Sequence, residues 1–140
     1  MKSKNKFYLL SFTWGILMTS VGLIVATSLL AVGIKPKKWG WCYHFEVGKN
    51  WGGLSLGFII LTGSKSATVH TKCHEHGHSL QNCYFGPAMI FISLWSAGRY
   101  WLHVIRRVIG ATNPPYDSIW FEWQASLLGT DLIVRLDGDK

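Results

Sequence analysis

The chain opens on an apolar run. Phe7 to Ile34 is 28 residues without a charged side chain, bracketed by Lys2, Lys4 and Lys6 before it and Lys35, Lys37 and Lys38 after it. A bilayer-crossing helix needs about 20 such residues, so the run predicts a transmembrane helix over 7–34. A cleaved signal peptide is the rival reading. Its apolar core is usually about 7–15 residues long, so an anchor that stays attached fits the length better. Pro36 stops the helix because proline cannot continue the hydrogen-bond ladder. Trp39 and Trp41 follow at once, and indoles favour the headgroup level.

The pattern then shortens. Tyr43-His44-Phe45-Glu46-Val47 and the run Gly53 to Leu61 flank Gly48-Lys49-Asn50-Trp51-Gly52. Alternation around turn residues predicts a short β-hairpin over 43–62. It could cover the core, or offer an edge strand to an extended peptide, and the two readings are compatible. Gly63-Ser64-Lys65-Ser66 is a break, with Ser64 or Ser66 as a candidate cap for a helix over 67–83. Gly86-Pro87 closes that helix.

A second apolar helix is expected over 86–107, either spanning the bilayer or re-entrant. Its charge-free stretch, Tyr84 to Gly98, is only 15 residues, and Arg99 would have to snorkel. Asn113-Pro114-Pro115 marks a loop, and 116–129 reads as a last helix. No repeat or low-complexity segment divides the chain, so 1–140 is expected to be a single domain, mainly α, helical and membrane-anchored.

Composition sharpens this picture. Of 140 residues, 49% are hydrophobic and 15% charged, against about 25% charged in average soluble domains. The net charge is +7, and its clusters border the apolar runs. The lipid bilayer is therefore the expected partner, and no nucleic-acid motif is present. Cys42, Cys73 and Cys83 form no Cys-x-x-Cys pair, which speaks against a thiolate zinc site.

The chemistry concentrates at His74-Glu75-His76-Gly77-His78. Positions i and i+4 share one helix face, so His74 and His78 can hold one metal ion. Glu75, beside them, is placed to act as a general base. His76 points to the other side. Catalytic zinc takes three protein ligands and keeps one position open. Among the remaining carboxylates, Glu122 and Asp117 compete for the third place; a carboxylate set among Trp120, Phe121 and Trp123 is costly to bury without a cation. His70, one turn before His74, could support the site from its edge, as could Asp117. Four histidines between 70 and 78 also raise di-iron chemistry, but one histidine box is too few for it.

With Glu122-Trp123-Gln124-Ala125 on a later helix, the H-E-x-x-H helix resembles the gluzincin metallopeptidases, most of all their small members. That resemblance implies Glu122 as the third zinc ligand and Ala125 as the small residue that lets the two helices close. It also implies Zn²⁺ as cofactor and a peptide or protein as substrate. The run His78-Ser79-Leu80-Gln81 followed by Gly86-Pro87 is similar to a family of small uncharacterised bacterial membrane proteins sharing H-E-x-G-H-x-x-Q, Gly-Pro and a later W-x-E-x-x-A. An integral protein of the bacterial membrane, with a membrane protein partner to present its substrate, is the corresponding expectation. The alternative is a non-catalytic membrane protein whose zinc site is structural or vestigial.

Overall fold

The computed structural model describes residues 1, 3–112 and 119–138. In chain order these form α1 (Lys4–Phe12), α2 (Ile16–Ala31), β1 (Lys37–Trp39), β2 (Cys42–Glu46), β3 (Gly53–Leu56), β4 (Ile59–Thr62), α3 (Val69–Phe85), α4 (Met89–Val108) and α5 (Trp120–Gly138). A single 3₁₀ turn, Gly86–Ala88, links α3 to α4. The protein is mainly helical with one small mixed sheet.

The apolar run does not form the one straight helix expected over 7–34. It breaks at Thr13-Trp14-Gly15, and α1 and α2 meet at 91°. The break is held by the end of α3. Asn82 donates to the Gly15 carbonyl at 3.2 Å, and the Trp14 indole donates to the Tyr84 carbonyl at 3.3 Å. A side chain at Gly15 would collide with Asn82. Among the described residues no single helix is long and apolar enough to cross a membrane, although the bent pair reaches that length and composition together.

The expected hairpin over 43–62 is also revised. Strand order is β1-β2-β4-β3, with β2 and β4 parallel and the two outer pairs antiparallel. Two tight turns explain this. Trp39 pairs with Cys42 across Gly40-Trp41, and Leu56 pairs with Ile59 across Gly57-Phe58. Gly40 and Gly57 have φ of 57° and 64°, and glycine in that conformation at the first central position matches the twist of a two-residue hairpin. So 53–61 is two strands, not one. β4 lies in the middle and is buried along its whole length, as an interior strand with apolar residues on both faces should be. β3 is left at an edge of the sheet.

Helix α3 lies at the centre. Its cap is Thr68, whose hydroxyl accepts the Thr71 N–H at 3.1 Å, rather than Ser64 or Ser66. From Glu75 to Cys83 every residue is buried, so its polar side chains need partners. Ser79 meets Ser55 of β3 at 2.9 Å, and His76 accepts the Trp41 N–H at 3.1 Å. Burial pushes His76 down to about 4; it is a neutral packed histidine, stacked near Phe7 and Trp41.

The tightest packing in the molecule is between α3 and α5. A Cβ on Gly77 would overlap the Ala125 carbonyl, and one on Gly129 would overlap the Cys73 carbonyl. Ala125 is fully buried. In an exposed helix Gly→Ala gains up to about 1 kcal/mol, whereas overpacking a tight contact costs about 1–3 kcal/mol. Gly129→Ala is therefore expected to lower the denaturation midpoint. Gly98→Ala in α4, where nothing lies within 4 Å, is expected to leave it unchanged or raise it. Equilibrium denaturation of the two variants checks the opposite signs.

Candidate metal centre

The close contact of α3 and α5 sets the site. On α3, His74 and His78 are one turn apart. On α5, Glu122 sits three residues before Ala125, so the small residue at the helix crossing brings the carboxylate over the imidazoles. Glu122 Oε2 lies 3.1 Å from His74 Nε2 and 3.2 Å from His78 Nε2, and the two Nε2 atoms are 3.2 Å apart. These three residues form a group that could hold a metal ion, and Glu122 is 2% exposed.

The hydrogen bonds behind the group decide whether a cation fits. His78 Nδ1 lies 2.8 Å from Gln81 Oε1. Gln81 Nε2 donates to the Phe121 carbonyl at 2.7 Å and to Gln124 Oε1 at 3.0 Å, which fixes the direction of its amide. Gln81 Oε1 can only accept, so His78 carries a proton on Nδ1, and in the neutral ring Nε2 presents a lone pair to the site. Ser126 Oγ stands 2.8 Å from His74 Nδ1 and can accept from it in the same way. Two imidazole lone pairs and a carboxylate oxygen then meet at one point. That convergence is repulsive unless a metal ion, or a proton on one imidazole, occupies it.

The spacing suits an ion. Zinc bonds of about 2.0–2.1 Å in tetrahedral array place neighbouring ligands about 3.3–3.4 Å apart, and the three separations here lie just below that. Electrostatics agree. Burial works against ionising Glu122, but the bonds from His74 and His78 outweigh it and hold the carboxyl well below the usual carboxylate range. Burial likewise opposes charge on His78, yet the Glu122 contact and the Glu75 charge outweigh it and raise its basicity. A proton on His78 directed at Glu122, or a bound metal ion, meets the same demand for positive charge.

His74 and His78 face a cavity of about 580 Å³, with Glu122 buried behind them. One wall is α3 with His70, Thr71, His74, Glu75 and His78; another is Trp51 to Ser55, which enters edge strand β3; the third is α4 from Met89 to Trp101. Glu75 is buried beside the imidazoles, and that burial raises its pKa, with the two histidines pulling the other way. Gly53 comes so close to Glu75 that any side chain there would strike the carboxylate. Comparison with family profiles, curated protein sequences and solved structures finds no match to this chain.

Of the residues singled out in the sequence, His74, His78, Glu122 and Glu75 come together. His70 lines the cavity but is exposed and stands apart from the three-ligand group. Asp117, and with it the start of the expected 116–129 helix, lies outside the described residues. Sequence reasoning missed Ser96. Its hydroxyl donates to Glu122 Oε1, the oxygen turned away from the histidines, and so binds α4 to the ligand set. No local motif marks it; only the 3–4 spacing of the cavity-facing positions on α4 could have.

Removing a hydrogen-bond partner of a ligand histidine typically costs 10–100-fold in metal affinity. Gln81→Leu is expected to weaken binding of an added divalent metal ion by about that factor, and Gln81→Glu, which keeps an acceptor, by less. Competition against a chromophoric chelator measures both, with circular dichroism confirming that the fold persists.

Proposed function

We propose that this protein is a membrane-bound zinc metallopeptidase, built in the manner of the small gluzincins. The observation that carries this reading is the meeting of buried Glu122 with His74 and His78, which line a cavity together with Glu75 and the start of an edge strand. Among the described residues no fourth His, Cys, Asp or Glu joins the group. Structural zinc sites are closed by four protein ligands, whereas catalytic ones use three and keep one position open.

When bound, zinc supplies Lewis acidity, which polarises a carbonyl and makes water acidic enough to attack at neutral pH. His74, His78 and Glu122 would hold the ion. Glu75 is the general base: its carboxylate takes a proton from the water that adds to the peptide carbonyl carbon. It passes that proton to the amide nitrogen as the C–N bond breaks, releasing an amine and a carboxylate. The β3 edge supplies backbone groups to an extended chain. The membrane setting is supported by the apolar side chains that α1 and α2 leave exposed, among them Leu9, Leu17, Ile24 and Leu30.

General acid–base groups contribute about 10²–10⁴-fold to rate. Glu75→Gln is expected to keep stoichiometric zinc and lose peptide hydrolysis by at least that factor. Glu122→Ala is expected to lose both. Metal analysis together with cleavage of a casein or peptide-library substrate makes the test. Full activity in the Glu75→Gln protein would defeat the mechanism, and full zinc content without any cleavage in the wild type would favour a structural ion.

A further inference from the structure

Helix α4 has two faces, and the metal site uses only one. Met89, Ile92, Ser93, Ser96, Ala97 and Tyr100 repeat at three- and four-residue spacing and line the cavity. On the opposite side Phe91, Leu94, Trp95, Leu102, Ile105 and Ile109 repeat in the same way and point outward. Their exposures are 73%, 67%, 64%, 46%, 55% and 71%. Six large apolar side chains in one stripe are more than an ordinary water-facing surface leaves uncovered.

What covers the stripe is indicated by charge. α4 contains no acidic residue, while Arg99 and Arg106, one helical repeat apart, run along its border, and Arg107 lies in its last turn. A second copy of the chain laid on this stripe would set arginine borders together with no carboxylate from α4 to separate them. An anionic lipid surface has the complementary sign, and tryptophan beside a basic border suits the headgroup level. Three arginines within 20 residues make a crossing helix costly, whereas they suit a helix lying flat. α2, which also exposes apolar side chains, touches α4, so the two surfaces adjoin.

We infer that α4 lies in the plane of the membrane interface, its outer stripe in the acyl-chain boundary and its inner face roofing the metal cavity. The cavity then opens at the level of the lipid headgroups. This seating rests on the membrane setting proposed above but not on peptidase activity.

Depth measurement on the full-length chain tests it. Cys42, Cys73 and Cys83 are buried, so single cysteines introduced by Leu94→Cys, Leu102→Cys and Ile109→Cys can be labelled with an environment-sensitive fluorophore. Each exchanges an exposed side chain, and the three report independently. The protein is reconstituted in phosphatidylcholine–phosphatidylglycerol vesicles carrying shallow or deep chain-labelled quenchers. Leu94 and Ile109 are fifteen positions apart, about 22 Å along a helix. A flat helix predicts one shallow depth for all three labels, together with weaker vesicle flotation for Arg99→Glu/Arg106→Glu. A depth that changes progressively from 94 to 109 means a crossing helix and overturns the inference. Labels blind to both quenchers in protein that still floats with vesicles overturn it too, and leave membrane attachment to α1 and α2. Crosslinking of the three cysteines between chains would assign the stripe to a second copy instead.

Discussion

The approach of α5 to α3 with almost no side chain between them is the constraint on which the site depends. Gly77, Ala125 and Gly129 remove the bulk that would hold the helices apart. On α3 the sequence of contacts is His74, Gly77, His78 and Gln81; on α5 it is Glu122, Ala125, Ser126 and Gly129. Each set falls at the i, i+3, i+4, i+7 positions of one helix face. Ligands and small residues thus share a single stripe on each helix. The spacing that closes the helices is the same spacing that delivers Glu122 to the imidazoles and Ser126 and Gln81 to their far nitrogens.

Such a face is polar where most helix faces at a core are apolar. α3 places Glu75, His76, His78, Ser79, Gln81 and Asn82 out of water. Buried polar groups are tolerable when each is answered by a partner, since an unanswered one costs about 1–3 kcal/mol. Here partners come from several neighbouring elements, β3 through Ser55, the β1–β2 turn through Trp41, the α1–α2 break through Gly15, and α5 through Phe121 and Ser126, while His76 Nδ1 and Asn82 Oδ1 have none among the described residues. The motif helix therefore acts as the hub that fixes its surroundings, and the 91° bend in the first apolar run is one consequence.

That bend shows where sequence reading stops. The apolar content of 7–34 was visible, but a spanning helix and a helix broken against a buried asparagine have the same composition. What distinguishes them is Asn82, 67 positions away from Gly15. The strands failed for a nearer reason. Gly40-Trp41 and Gly57-Phe58 carry glycine–aromatic turns that a count of apolar alternation passes over, so one hairpin was expected in place of a four-stranded mixed sheet. The motif, by contrast, was legible because its chemistry sits within one helical turn. Glu122 became a candidate through its aromatic surroundings and was preferred through resemblance to other proteins; Ser96 carried no signal beyond the helical spacing of α4, since its contact to Glu122 depends on how α4 folds back.

The position of Ser96 bears on how the site opens. Glu122 has two oxygens: Oε2 faces both histidines, and Oε1 takes the Ser96 hydroxyl. A carboxylate engaged on its second oxygen tends to bind an ion through one oxygen, leaving a coordination position free. Ser96 belongs to the same α4 stripe that roofs the cavity, so any displacement of α4 would loosen that oxygen as it widens the cavity. Access to the cavity and the placing of the Glu122 carboxylate are in this way tied to one helix. α4 also packs on the 86–88 turn, α2 and α3, so whatever holds its outer face steady bears on how the Glu122 carboxylate is placed.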